Sequence, residues 1–265
     1  MLSKRLASTT AIGLLLVAGA TACGDNDKPA AADKPAAAGK AAAAPGLDTE
    51  KLTAEEIQKQ AKDALAGATS VKVVGNVNKD TDEIAVDLAV DTKGQCKGTL
   101  TLPGAGKFEL LGDGKQVYLK PDAAFLTSVT EGKNPQAVEL LKGRWIGGAQ
   151  DDPDMKEITT ACNLKELTKT FGTGDESKAT NITKGSAGTV NGAKTFSVKS
   201  KDSSGGEATL HVATEGKPYP LRIEKSGKGG GQMDFTDIDK ALTVQAPPAD
   251  QVIDYSLFKD KVQAA

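Results

Sequence analysis

The chain has 265 residues, 26% charged and 38% hydrophobic, with a formal net charge of −2, 4% aromatic residues and a single histidine. Near-neutral charge and few rings exclude the basic stripe and stacking platforms of a nucleic-acid binder. One histidine leaves no His-pair metal site and no second imidazole for a catalytic relay.

The N-terminus reads as an export signal over residues 1–22. Lys4 and Arg5 give a positive start, and Ile12, Leu14, Leu15, Leu16 and Val17 form an apolar core too short to span a bilayer. Small residues, Gly19-Ala20-Thr21-Ala22, then lead directly to Cys23. That arrangement has the form of a bacterial lipobox, in which the Cys23 thiol takes a diacylglyceryl group and becomes the first mature residue. Ala20 stands where a lipobox usually carries Leu; the other reading is an ordinary secretory signal with Cys23 left as a thiol. Residues 23–46 form an Ala/Pro/Lys/Asp tether with almost nothing apolar to bury, and disorder is expected there. Its r.m.s. reach is roughly 25 Å, enough to hold a domain away from a membrane.

Two cysteines remain, Cys96 and Cys162. Outside the cytoplasm a lone pair predicts a disulfide, worth roughly 4 kcal/mol in the chain-entropy model. A redox or metal role is the alternative, and the absence of C-x-x-C and of a second histidine weighs against it.

Residues 47–265 read as one domain. Thr53 and Glu56 make a capping box ahead of Ala54, Ile57, Ala61, Ala64 and Leu65, and Gly67 ends that helix. Period-two alternation follows at Ile84, Val86, Leu88 and Val90, then Leu100 and Leu102, then Phe108 and Leu110. Asp113-Gly114 predicts a hairpin turn into Val117 and Leu119. Helices are predicted from Asn134-Pro135 to Gly143 and from Asn163 to Phe171. Asn191-Gly192 then predicts a second hairpin leading to Phe196 and Val198. Strands follow at Leu210 and Val212, Leu221 and Ile223, Met233 and Phe235, and Leu242 and Val244. The expected fold is α+β: a curved antiparallel sheet of about ten or eleven strands, a half-barrel, with a few short helices closing its concave face.

This order resembles the actinobacterial LppX/LprAFG-type lipoproteins. The likeness covers about residues 50–258, and the C-terminal motifs carry most of it: Lys217-Pro218-Tyr219-Pro220-Leu221-Arg222-Ile223, then Phe235-Thr236-Asp237-Ile238, then Val244-Gln245-Ala246-Pro247-Pro248 onward to Val252. The resemblance implies a LolA/LolB-like half-barrel around a lipid-sized cavity, and implies that lipids are carried towards the cell surface.

The expected function is therefore a non-enzymatic, lipid-anchored protein on the outer face of the cell membrane. It would be a monomer, without cofactor, metal or nucleic-acid partner, holding an apolar ligand such as an acylated lipid. Ile84, Val86, Leu88, Val90, Leu100, Leu102, Phe108, Leu110, Phe196, Val198, Leu210 and Val212 are the candidate cavity lining. The alternative is a cell-envelope scaffold lipoprotein whose sheet packs solid. Three weaker signals read as structural. His211 points away from the Leu210/Val212 face, the glycines near Ser226 form a hairpin rather than a phosphate loop, and Asp151, Asp152 and Asp154 lack an EF-hand's spacing.

Overall fold

The computed structural model describes residues 46–79, 82–149, 152–173, 180–201, 206–227 and 229–263. The signal segment, Cys23 and nearly all of the tether lie outside these.

Helix α1 (Ala54–Ala66) starts where the capping box predicts. The Glu56 amide donates to Thr53 Oγ1 at 3.2 Å, and the Thr53 amide donates to Glu56 Oε2 at 2.7 Å. Two otherwise orphaned donors at the helix start are thereby satisfied. A first antiparallel meander follows: β1 (Ser70–Lys79), β2 (Asp82–Asp91), β3 (Gln95–Leu102), β4 (Gly106–Asp113) and β5 (Val117–Pro121). The turn into β5 is held by the Asp113 carboxylate, which accepts from the amides of Lys115 and Gln116, both at 2.8 Å.

A helical stretch then carries α2 (Ala123–Val129), α3 (Pro135–Leu141), the short strand β6 (Trp145–Gly147), α4 (Lys156–Thr160) and α5 (Leu164–Thr173). Asn134 and Asn163 act as N-caps as expected: Asn134 Oδ1 accepts from the Ala137 amide, and Asn163 Oδ1 from the amides of Lys165 and Glu166. A second meander runs through β7 (Thr180–Val190), β8 (Ala193–Lys201), β9 (Glu207–Ala213), β10 (Pro220–Lys225) and β11 (Gly231–Thr236). Its first hairpin turns through Asn191 and Gly192, both at positive φ (50° and 83°), the backbone of a two-residue hairpin loop. The chain ends with β12 (Val252–Asp254) and α6 (Tyr255–Gln263).

All strands join one curved sheet in the order β12-β6-β5-β4-β3-β2-β1-β11-β10-β9-β8-β7. The two meanders meet where β1 pairs with β11, and β12 lies parallel to β6 at the far edge. Among the described residues twelve strands stand where about ten or eleven were expected. Strands β6 and β12 are three residues long, too short to display a period. The expected strand at Leu242 and Val244 is absent: residues 241–248 have no regular structure. Pro247 and Pro248 there supply no backbone donors, and the chain leading in is held instead by single bonds, such as the Asp239 amide to the Ser70 carbonyl at 3.0 Å.

Alternate residues of the long strands other than β7, whose register is broken twice, point to the face that the helices cover. Over the β8–β9 half, Ile57 and Ala61 of α1 pack on Val198 and Val212. Over the β1–β5 half, Leu164 and Leu167 of α5 and Ile158 of α4 join a core containing Val71, Val73, Leu88, Val90, Leu110 and Phe235. Each such side chain contributes roughly 1.5–3 kcal/mol by leaving water. Helix α3, expected to close over the sheet, forms an outer layer instead. Its Ala137, Val138 and Leu141 pack against Leu126 of α2 and Ile253 of β12.

Candidate functional site

The twelve expected lining residues share the helix-covered face, but they divide between two clusters. Ladder pairs Leu88–Gly98–Leu110, Val86–Leu100–Phe108, Val90–Cys96, Ile84–Val77 and Leu102–Gly106 place eight of them in the first meander. Pairs Phe196–Val212 and Val198–Leu210 place the other four beneath α1. Leu88, Val90, Phe108, Leu110, Val198 and Val212 are buried, whereas Ile84, Val86, Leu100, Leu102, Phe196 and Leu210 are half-buried.

In the first meander that difference follows position along the strands. The strand ends Lys79/Asp82, Leu102/Gly106, Lys201/Glu207 and Lys225/Gly231 all fall at one end of the sheet. Toward that end Val77, Ile84, Val86, Leu100 and Leu102 keep part of their surface exposed. Toward the opposite end Val71, Val73, Leu88, Val90 and Cys96 are fully packed. Phe108, in the same row as Val86 and Leu100, is the exception, buried beneath Phe125 of α2; the inner face of the first meander is thus fully packed at one end and partly covered at the other.

Beside the filled part lies a cavity of about 230 Å³ with a wholly apolar wall. Phe108, Leu119, Pro121 and Ile146 supply its sheet side; Phe125 and Val129 of α2, Ile158 of α4 and Phe258 of α6 close it, with Met155 and Tyr255 beside them. Of the twelve expected residues only Phe108 lines it. The helical contributors escaped sequence reading because α2 and α4 span seven and five residues, too short for an apolar period to be visible. A larger hollow of about 610 Å³ lies on the opposite face, with a mixed wall that includes Ala89, Ala241 and Leu242. Its wall carries Lys72, Asp87, Lys97, Glu109, Asp237 and Lys240.

The Cys96–Cys162 disulfide fastens the helical layer to β3, with Cα atoms 5.2 Å apart, inside the usual range. Gly112, opposite Cys96 on β4, leaves the room it needs: a Cβ there would sit 3.0 Å from Cys96 Sγ and 3.3 Å from Cys162 Sγ. Cys162 lies just beyond α4, so the bridge also fixes the helix that carries Ile158 to the cavity.

The polar clusters elsewhere are structural. Arg222 binds Asp234 through two hydrogen bonds of 2.6 and 2.7 Å across β10–β11, and Asn191 donates to the same carboxylate. The Arg222 guanidinium holds the Asp234 carboxyl below its ordinary range. His211 lies between Arg222 and Ser197 in the ladder, its Nε2 buried and 3.7 Å from Glu224; the Ser197 hydroxyl is engaged by the Ser186 backbone, accepting from its amide at 2.9 Å and donating to its carbonyl at 3.1 Å. At the filled end Asp239 accepts from the Tyr219 hydroxyl, the Thr69 amide and Lys217 Nζ; these bonds, the Tyr219 one foremost, hold its carboxyl far below the usual range. Asp152 accepts from Lys259 at 3.1 Å. Among the described residues no cluster of three metal-ligating side chains occurs; Asp151 falls outside them. None of the described helices is long and apolar enough to cross a membrane.

No family model and no curated protein matches the chain. Solved structures similar to it include the lipoprotein LppX of Mycobacterium tuberculosis, at 18% identity and a TM-score of 0.47, covering 71% of this chain and 96% of that one. LprF from Mycobacterium bovis is similar at 17% identity and a TM-score of 0.49, covering 74% and 97%. A LolA superfamily protein from Nitrosomonas europaea is similar at 9% identity and a TM-score of 0.24, covering 75% and 96%.

Proposed function

We propose that the chain is an extracytoplasmic lipoprotein, anchored through Cys23 to the outer face of the cell membrane, that binds or carries an apolar ligand such as an acylated lipid. One observation carries this reading: a partly open cavity with a wholly apolar wall, formed where short helices fail to fill the inner face of the sheet. An apolar hollow of this kind favours hydrocarbon over water. Binding is passive, each buried methylene contributing about 0.8 kcal/mol. At about 230 Å³ the cavity is smaller than the roughly 300–1,000 Å³ of most small-molecule sites, so it accommodates part of a lipid rather than a whole one.

The packed core around Leu88, Val90 and Leu110 favours a second reading, a scaffold that acts through its surface. One experiment separates the two. The full chain is purified from its own host and weighed by native mass spectrometry, beside Ile158→Trp and Val90→Trp. The carrier reading expects a bound apolar species in the wild type. It expects that species to be lost in Ile158→Trp with little change in melting temperature, because the new ring occupies the cavity. Val90→Trp overpacks filled core and should cost about 1–3 kcal/mol. An empty wild type that also fails to take up fatty acid, with Ile158→Trp as destabilised as Val90→Trp, leaves the scaffold.

A further inference from the structure

The cavity and the half-buried aliphatics at the partly covered end of the first meander share one row of side chains. Phe108, in the cavity wall, lies directly opposite Leu100 on β3, and Leu100 lies opposite Val86 on β2. One step nearer the strand ends Ile84 faces Val77. Yet none of Val77, Ile84, Val86, Leu100 and Leu102 lines the cavity. At the boundary between the two sets stand two rings, Phe108 and Phe125, edge to face with centroids 5.5 Å apart and planes at 65°. Phe125 packs on the core shared by Leu100 and Leu102, and it also walls the cavity.

The backbone beneath Phe125 is tightly placed. Its amide donates to the Asp122 carboxylate at 2.7 Å. The β3–β4 turn presses on the same amide, because Gly106, at φ +95°, carries no Cβ; a side chain there would strike the Phe125 nitrogen. The ring of Phe125 is therefore projected from a fixed point onto the edge of the cavity.

We propose that the Phe108–Phe125 pair is the end wall of the ligand site and sets the length of the apolar chain it accepts. The proposal rests on the apolar-ligand reading above and narrows it to an unbranched acyl tail whose polar end stays outside. Removing the ring at position 125 merges the cavity with the strip formed by Leu100, Leu102 and Val86, so a longer tail lies along β2–β4. Each further methylene that enters is worth roughly fourfold in affinity.

The test titrates the full chain with the saturated fatty acids from octanoate to stearate, read by displacement of anilinonaphthalene sulfonate. It compares wild type, Phe125→Ala and Phe258→Ala, the last opening the same cavity on its α6 side. In the wild type affinity should rise with chain length and then level off. Phe125→Ala should move that point to longer chains, and Phe258→Ala should alter affinity without moving it. Levelling at the same length in wild type and Phe125→Ala overturns the end wall while leaving the ligand reading intact. Should Phe125→Ala unfold, Phe125→Leu, which shortens the wall with less loss of packing, is read the same way. If no fatty acid displaces the dye from any variant, the apolar-ligand reading falls, and the end wall with it.

Discussion

Asp239 ties three distant parts of the chain together: Thr69 before β1, Lys217 and Tyr219 before β10, and the segment leaving β11. Its folded pKa is depressed, chiefly by the Tyr219 hydroxyl and then by the Thr69 amide. The stabilisation is therefore complete above the unfolded value of about 3.9 and is lost as pH falls through that value toward the folded one. Asp239→Asn should lower the melting temperature at neutral pH, and the gap to wild type should begin to narrow below about pH 5 and keep narrowing as pH falls toward the folded value. A gap independent of pH would show that shape rather than charge matters at this position. The group explains part of a sequence motif: in the Lys217-Pro218-Tyr219 run, the lysine and the tyrosine both reach Asp239. At the same scale the sequence disclosed which side chains face inward but not which of them border empty space. Alternation fixes a side, so Leu88 and Val86 read alike. Only the placement of the helices leaves one buried and the other half-exposed.

Elements with a local cause were legible. The capping box over α1, Asn134-Pro135 before α3, and the turns at Asp113 and Asn191 each depend on residues within four positions of one another, so the sequence displays them whole. Elements that exist only through pairing were not: β6 and β12 contact each other across some hundred residues of chain and carry no pattern of their own. The disulfide belongs to this scale because it joins α4 and α5 to the sheet. Replacing both cysteines by serine should cost up to about 4 kcal/mol, given a separation of 66 residues. Because Cys162 follows directly on the helix that brings Ile158 to the cavity, the loss should fall unevenly. Hydrogen exchange should rise over residues 156–173 well before it rises in β1–β4. Uniform acceleration across both regions would mean that the bridge stabilises the whole domain without fixing the helices.

For the molecule as a whole, the decisive question is where it is held. Cys23 and the tether lie outside the described residues, so the anchor is argued from the signal-like N-terminus alone. Growth with an alkyne-tagged fatty acid should label the wild type and not Cys23→Ser, and the variant should appear in the soluble extracytoplasmic fraction. Equal labelling of both would remove the membrane anchor and leave a secreted binder.

The seam between β1 and β11 bears on how such a chain reaches its folded form. Lys72 pairs with Thr236 and Val77 with Gly231, across more than 150 residues of chain. Loop-closure entropy must be met before these contacts stabilise anything, which makes topologies of this kind slow to fold. Until β11 arrives, the outer edge of β1 presents unpaired amides and carbonyls beside Val71 and Val73, a template for joining the wrong chain. Each meander forms from neighbours in sequence, but the barrel-like curve spans the two only once the C-terminal third of the chain is available. Completion of the fold is thus timed by the arrival of its last long strand rather than its first, and a chain stalled before Gly231 would expose a sticky half-sheet.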